Sequence, residues 1–361
     1  MSEGWHSVRR LLCVRLDSLG DVLMTTPAMR AFRQSLGCRI TLLTSAAGAT
    51  AAPFVPEIDE VIVFAAPWMK SSAGAPTGDA QMISTLAARR FDAAAIFTVY
   101  SQNPLPAAYL CYLAGIPRRL AHCRENPYQL LTDWVPDPEP ETTVRHEVRR
   151  QLDLARAVGC TTADERLSFR VPPGAKRRLA RLARSWARPL VVVHPGASAP
   201  SRRYPPEHYA RAMDLLVAQT GCEAVFTGDA AEAELVQTVR QSMREASRSL
   251  VGELGLHELG ALIDAADVLV SNNTGPAHIA AALGTPVVDL YALTNPQHTP
   301  WQVRARVLNH DVPCRNCYKS VCPAGHHDCL RKVAPERVAA AALELLEESH
   351  EPSREARELA A

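Results

Sequence analysis

A chain of 361 residues is too long for one ordinary hydrophobic core and comfortable for two domains. Its 47% apolar and 21% charged residues are those of a globular protein, and a formal net charge of +1 gives no electrostatic case for nucleic acid as a partner. No run of about 18 apolar residues offers a membrane span, and the opening MSEGWHSVRRLLCVRLDSLGD is no signal peptide because Arg15 and Asp17 interrupt its short apolar run, so a cytoplasmic location is expected.

The first elements alternate in type. Residues 11–16, LLCVRL, read as a buried strand. A helix is expected over 22–36, with Met29, Phe32 and Leu36 on one face and Pro27 in its first turns or at a kink. Strands follow at 39–44, 61–64 and 93–99, separated by helical patterns, and 135–143 reads as a Pro-rich acidic loop. The rhythm restarts after a basic stretch, 176–188, with strands expected at 189–196, 223–228, 267–273 and 286–292. Two βαβ series predict two doubly wound α/β domains with a ligand cleft at the carboxyl ends of their sheets. The expected division is 1–175, a linker helix at 176–188, a second domain at 189–348 and a charged tail at 349–361. The basic helix reads either as a linker with Leu179, Leu182 and Trp186 packed inward or as an amphipathic membrane-surface helix.

Chemistry concentrates in three segments. In RLDSLGDVLMTTPA (15–28) a strand runs into a loop holding Ser18 and Gly20, and a helix is expected to start at Asp21 or Val22. Gly20 lets backbone approach a ligand. Asp21 reads as a helix N-cap, as a general base for an attacking hydroxyl, or as both; Asp17 is the competing carboxylate. In HPGASAPSRRYPPEHY (194–209), backbone N–H groups from Gly196 to Ser198, with Arg202 or Arg203, suit a phosphate. In SNNTGPAHIAAALGTP (271–286), Asn273 and Thr274 follow a strand, Gly275 and Pro276 open a helix, and Gly284 ends it. The amides at that helix start favour an anion, whereas His278, inside an Ala-rich helix, reads equally as structural or functional. There is no Asp-x-Asp triplet to hold a metal against a diphosphate.

Together these segments resemble glycosyltransferase family 9, the ADP-heptose:lipopolysaccharide heptosyltransferases. RLDSLGDVLMTTPAMRAFRQ is similar to the family's opening signature, VVVHPGAS with RRYPPEHYA to the start of its donor domain, and SNNTGPAHIAAALGTPVVDLYALTNP to its donor signature. The resemblance implies a GT-B fold, with two Rossmann-like domains facing a central cleft. It implies an inverting, metal-independent transfer of heptose or a related sugar from an ADP-sugar to a lipopolysaccharide inner-core or similar glycan. By the same resemblance Asp21 is the general base and Arg202 a phosphate ligand. Thr274, Gly275 and His278 surround the diphosphate, and Glu232 lies near the donor ribose. Asn273 departs from the pattern, since the family usually has aspartate there, and asparagine hydrogen-bonds without charge.

The resemblance also implies that the first domain takes the acceptor, often an anionic lipid-linked core, and Arg118 and Arg124 are among the arginines that could meet its anionic groups. An anionic, lipid-linked acceptor would allow peripheral membrane contact. Cys314, Cys317, Cys322 and Cys329 resemble a cysteine-rich segment near the end of many family members; their ligand type suits structural zinc, and the other reading is a loop of reduced thiols. Two rival functions stay open on these residues: another GT-B nucleotide-sugar enzyme such as an epimerase, and a degenerate nucleotide-sugar-binding protein. A nicotinamide dehydrogenase is disfavoured because LDSLGD lacks the G-x-G-x-x-G pattern.

Overall fold

The computed structural model describes residues 4–70 and 78–350; the expected tail from 351 onward lies outside the described residues. The chain divides into two compact units, Met1–Arg170 and Val171–Ala361.

In the first unit, short β-branched and leucine-rich runs give strands β1 (Arg10–Arg15), β2 (Arg39–Thr44), β3 (Glu60–Val63), β4 (Ala93–Ile96), β5 (Arg118–Cys123) and β6 (Asp133–Pro136). Helices α1 (Leu19–Leu36), α2 (Ala46–Ala49), α3 (Asp79–Ala88), α4 (Leu105–Leu113) and α5 (Glu147–Ala157) lie between or after them. The strands pair in parallel in the order β3-β2-β1-β4-β5-β6. That order reverses direction between β1 and β4, which creates the switch point where open α/β sheets bind ligands. Leu11 to Arg15 are all buried, as expected of a central parallel strand covered on both faces. One core packs Leu12, Val14, Leu43 and Ile96 against Leu86 of α3 and Ala108 and Cys111 of α4.

Helix α1 starts earlier than the sequence suggests. Ser18 is the N-cap, so Gly20 lies inside the first turn instead of in a loop, and Asp21 is the third helical residue instead of the cap. The reason is local: the Asp21 carboxylate accepts from the Ser18 backbone N–H at 3.1 Å and from its hydroxyl at 2.6 Å, which satisfies the helix start three residues back. Pro27 sits beyond the first turns, inside the helix. It has no N–H for the Leu23 carbonyl four residues earlier. The Thr26 hydroxyl donates to that oxygen at 2.7 Å in its place.

The second unit repeats the architecture. It contains α6 (Pro173–Leu182), β7 (Leu190–His194), α7 (Pro206–Thr220), β8 (Glu223–Phe226), α8 (Ala233–Ser242), β9 (Arg248–Ser249), α9 (Leu256–Ala265), β10 (Val268–Asn272), α10 (Gly275–Leu283), β11 (Val287–Leu290), β12 (Ala305–Leu308), α11 (Asp328–Arg331) and α12 (Pro335–His350). Its parallel sheet runs β12-β11-β10-β7-β8-β9, the same order read from the other edge, with its switch point between β7 and β10. Val191, Val193, Phe226, Val270 and Leu290 of the sheet pack on Tyr209 and Met213 of α7 and Val338 and Leu345 of α12.

The expected linker stretch belongs to this unit. Its helix packs on α9 and ends at Leu182. Leu179 is buried, but Leu182 is 46% exposed, contrary to expectation. The chain leaves the helix there through a short 3-10 turn, Ala183–Ser185.

Candidate active site

The first site is built at the carboxyl end of β1. Arg15 closes that strand with its side chain wholly buried and reaches three carboxylates: Glu147 at 2.8 Å, Asp21 at 3.0 Å and Asp17 at 3.1 Å. Burial opposes the Arg15 charge, but Glu147, Asp17 and Asp21 outweigh it and hold the guanidinium ionised. Glu147, at the first turn of α5, is buried and pushed upward by desolvation against the pull of Arg15. The Asp21 side chain is 15% exposed, so a carboxylate fixed by Arg15 and Ser18 still has solvent access. Asp17 is pushed up to about 6 by burial, although Arg15 opposes the shift. Its Oδ1 accepts from Gln102 Nε2 at 2.6 Å.

Asp17 and Gln102 line a pocket of about 280 Å³ with Trp68, Met69, Phe97 and Pro106. A smaller polar pocket shares Ser101, Gln102 and Asn103 with it and extends to Arg124 and Glu125. Arg124 is 44% exposed and donates to the Glu139 carbonyl at 2.9 Å. Arg118 is not brought to this region: it opens β5 at the amino end of the sheet, with its guanidinium against Gly4.

The second site surrounds the carboxyl ends of β7, β8 and β10. After β7 the backbone turns at Pro195 and Gly196. A Cβ on Gly196 would lie 1.8 Å from Glu232 Oε1, so only glycine admits that carboxylate beside the loop. Glu232 is held in place by the Asp229 N–H at 3.0 Å, and burial pushes its carboxyl upward. His194, buried at the strand end, bonds Thr227 Oγ1 at 3.1 Å, and desolvation lowers it to about 4; it is a neutral structural histidine. Ser198 is exposed and Arg202 half-buried. Arg203 donates to the Ala197 carbonyl at 2.8 Å and so braces the loop, while Arg202 has no ion pair within 4 Å among the described residues.

Asn272 and Asn273 divide two tasks. The Asn272 amide donates to the Pro195 carbonyl at 2.7 Å and accepts from the Tyr204 N–H at 3.0 Å, which ties the β10 end to the 195–204 loop. Asn273 donates to Asp289 and to the His298 carbonyl. Thr274 caps α10, with Gly275 and Pro276 as its first two residues, so the positive end of this helix lies at the sheet end. Gly284 ends the helix at φ 80°, and His278 is buried on it.

Within each unit the structure gathers the expected residues: Asp17, Ser18, Gly20 and Asp21 in one, and Gly196, Arg202, Glu232, Asn273, Thr274, Gly275, Pro276 and His278 on neighbouring loops and helix ends in the other. Sequence reasoning misses Arg15, Glu147, Gln102 and Asn272. A charged residue closing an apolar strand is the available signal for Arg15; Glu147 and Gln102 carry none, because only the fold brings them there.

The four late cysteines line one narrow pocket with His326 and His327, against Ser201 and Thr294. Cys314 Sγ and His326 Nε2 are 3.8 Å apart. Among the described residues no group of three or more His, Cys, Asp or Glu side chains is arranged to hold a metal ion. The ligand types fit zinc, but the side chains as placed do not form a tetrahedral set. The loop also straps its neighbours, since Ser201 donates to the carbonyls of Ser320 and Lys319 at 3.0 and 2.7 Å.

Two doubly wound parallel sheets of one strand order, each carrying a polar site beyond its switch point, are the architecture of the GT-B fold. A family model described as glycosyltransferase family 9 (heptosyltransferase) matches residues 80–327, and the chain belongs to that family. It is 29% identical over 300 residues to lipopolysaccharide heptosyltransferase 2 of Escherichia coli K12, covering 79% of this chain and 83% of that one. Lipooligosaccharide heptosyltransferase 2 of Haemophilus ducreyi is 30% identical over 255 residues, covering 65% and 72%. Among solved structures, a family 9 glycosyltransferase from Veillonella parvula superposes with a TM-score of 0.79 at 22% identity, covering 95% and 98%. The E. coli ADP-heptose lipopolysaccharide heptosyltransferase II does so with 0.73 at 25% identity, covering 95% and 100%. The protein is a glycosyltransferase. No described helix is long and apolar enough to cross a membrane.

Proposed function

We propose that the chain transfers heptose from ADP-heptose to a sugar hydroxyl of a lipopolysaccharide inner core, with inversion at the anomeric carbon and without a metal ion in the chemical step. The observation that carries this reading is Asp21, a carboxylate locked by Arg15 and Ser18 yet open to solvent. Asp21 takes the proton from the acceptor hydroxyl as its oxygen bonds to the anomeric carbon. The bond to the ADP oxygen breaks, and the diphosphate leaves with its charge met by Arg202 and the amides of the α10 start. Glu232 is assigned to the donor ribose. Asp17 and Gln102 are assigned to orienting the acceptor hydroxyl, and Arg124 to an anionic group further along it. Peripheral membrane contact follows from a lipid-linked acceptor.

The test is ADP release from ADP-heptose with and without a deacylated core acceptor. Release that depends on acceptor, falls by about 10²–10⁴-fold in Asp21→Ala and leaves donor binding intact supports the reading. Donor binding without turnover on any acceptor supports a binding protein instead. Structural zinc at Cys314, Cys317, Cys322 and Cys329 is a separate proposal, resting on their gathering at one pocket. Metal analysis of protein purified without chelator should find about one equivalent; under about a tenth of an equivalent, with four titratable thiols, would leave the loop a reduced strap.

A further inference from the structure

Asn273 stands where the family pattern calls for aspartate, and its surroundings supply a reason. Its Nδ2 donates to Asp289 Oδ2 at 3.0 Å and to the His298 carbonyl at 2.8 Å, so both amide hydrogens are used. The His298 carbonyl can only accept, which fixes the amide nitrogen on that side and turns Oδ1 the other way. Asp289 lies on β11 beside Ser271 of β10 and is wholly buried. Its Oδ1 has no hydrogen-bond partner, and it makes no ion pair within 4 Å among the described residues. An aspartate at 273 would therefore put two carboxylates about 3 Å apart in a buried site without a cation, which disfavours ionising both. In this chain the carboxyl group lies one strand over, on β11, and an amide stands at the loop.

We propose that Asp289 is a positioning residue for the donor: it holds the Asn273 amide so that Oδ1, not Nδ2, is offered to a hydroxyl of the donor sugar. This rests on the assignment of the β10–α10 loop to the donor. The loop then keeps an acceptor oxygen for a polyol without a negative charge beside the leaving diphosphate. Burial pushes the Asp289 carboxyl up to about 8, so an uncharged acid fills this role at neutral pH.

The experiment is steady-state kinetics on the full-length protein with ADP-heptose and core acceptor, with folding checked by thermal unfolding. Asp289→Leu, which removes the acceptor but keeps the branched shape, should raise the donor KM about tenfold and leave the acceptor KM unchanged. Asp289→Asn should recover most of that loss because its amide oxygen still accepts from Asn273. Asn273→Asp should also raise the donor KM, because its carboxylate faces both the buried Asp289 and the acceptor-only His298 carbonyl. An unchanged donor KM in a folded Asp289→Leu protein, or an Asp289→Asn protein no better than Asp289→Leu, overturns the proposal. Arg202→Ala separates the two levels. If it raises the donor KM while Asp289→Leu does not, the pairing alone fails; if neither variant moves it, the donor-site reading falls and the pairing with it.

Discussion

Arg15 shows most directly how one side chain can be structural and functional at once. Its guanidinium pairs with both Asp21 and Glu147, and Glu147 is wholly buried. Removing one partner of a buried ion pair costs about 3–5 kcal/mol because the other is left uncompensated. Arg15→Leu should therefore lower stability by that amount in chemical denaturation and abolish turnover even where the protein remains folded. Arg202 is the contrasting case. Its guanidinium has no ion pair to break among the described residues, so Arg202→Ala should leave the unfolding midpoint nearly unchanged while weakening donor binding by ~2–4 kcal/mol in calorimetric titration. The buried acid Asp289 adds a pH dependence. Its raised pKa means the folded state binds the proton more tightly, so its contribution to stability is present below about pH 4 and lost as pH rises through about 8. The groups that feel its charge, Tyr209 and Tyr291, are themselves pushed upward by burial and stay neutral over that range. Asp289→Asn should accordingly flatten the fall of the thermal midpoint between about pH 4 and 8; a fall as steep as wild type would show that another group is responsible. Spacing narrows the base to Asp17 or Asp21 and the phosphate ligand to Arg202 or Arg203, and only the family resemblance chooses within each pair. Asp289 is not legible in the sequence, because a polar residue in VVDL looks like a strand's solvent face until the sheet shows helices covering both sides.

The same division holds for elements. Central strands declare themselves: the run at 39–44 is β2 to the residue, since apolar runs between turn residues leave little choice. β5 escapes a reading of pattern because RRLAHC opens on two arginines and looks like surface, although Arg119 turns inward to the carbonyls of Leu130 and Gln129 at 2.8 Å. β9 has two residues and no pattern to detect. Helix starts are misplaced where side chains reach backwards, as Asp21 does to Ser18. The loop after β7 makes a prediction at this scale. Gly196→Ala inserts a methyl where the Glu232 carboxylate now lies, and that flexible side chain can swing away. The cost in stability should stay under about 1 kcal/mol, while the donor KM rises as far as in Glu232→Ala. A loss of fold instead would mean that the backbone, and not the carboxylate, is the tight contact.

At the scale of the whole molecule, two units with separate cores make separate claims on the substrate. Every residue assigned to the diphosphate and ribose lies in Val171–Ala361, and every residue assigned to proton transfer and acceptor lies in Met1–Arg170. ADP, which lacks the sugar, should therefore stabilise the second unit on its own. A ligand that binds only the folded form adds RT ln(1 + [L]/Kd), about 2.7 kcal/mol at a hundred times its Kd. Hydrogen exchange of the full-length protein with saturating ADP should slow at residues 195–203, 228–232 and 272–298, which carry the loops beyond β7, β8 and β10. Exchange in β1, α1 and the Asp17 pocket should stay as it is without ligand. Core oligosaccharide alone should give the reverse pattern, slowing 15–21 and 97–103. Protection by ADP centred on the β1–α1 segment would assign nucleotide to the first unit, and would remove Arg202 from the phosphate and Asp21 from the base role.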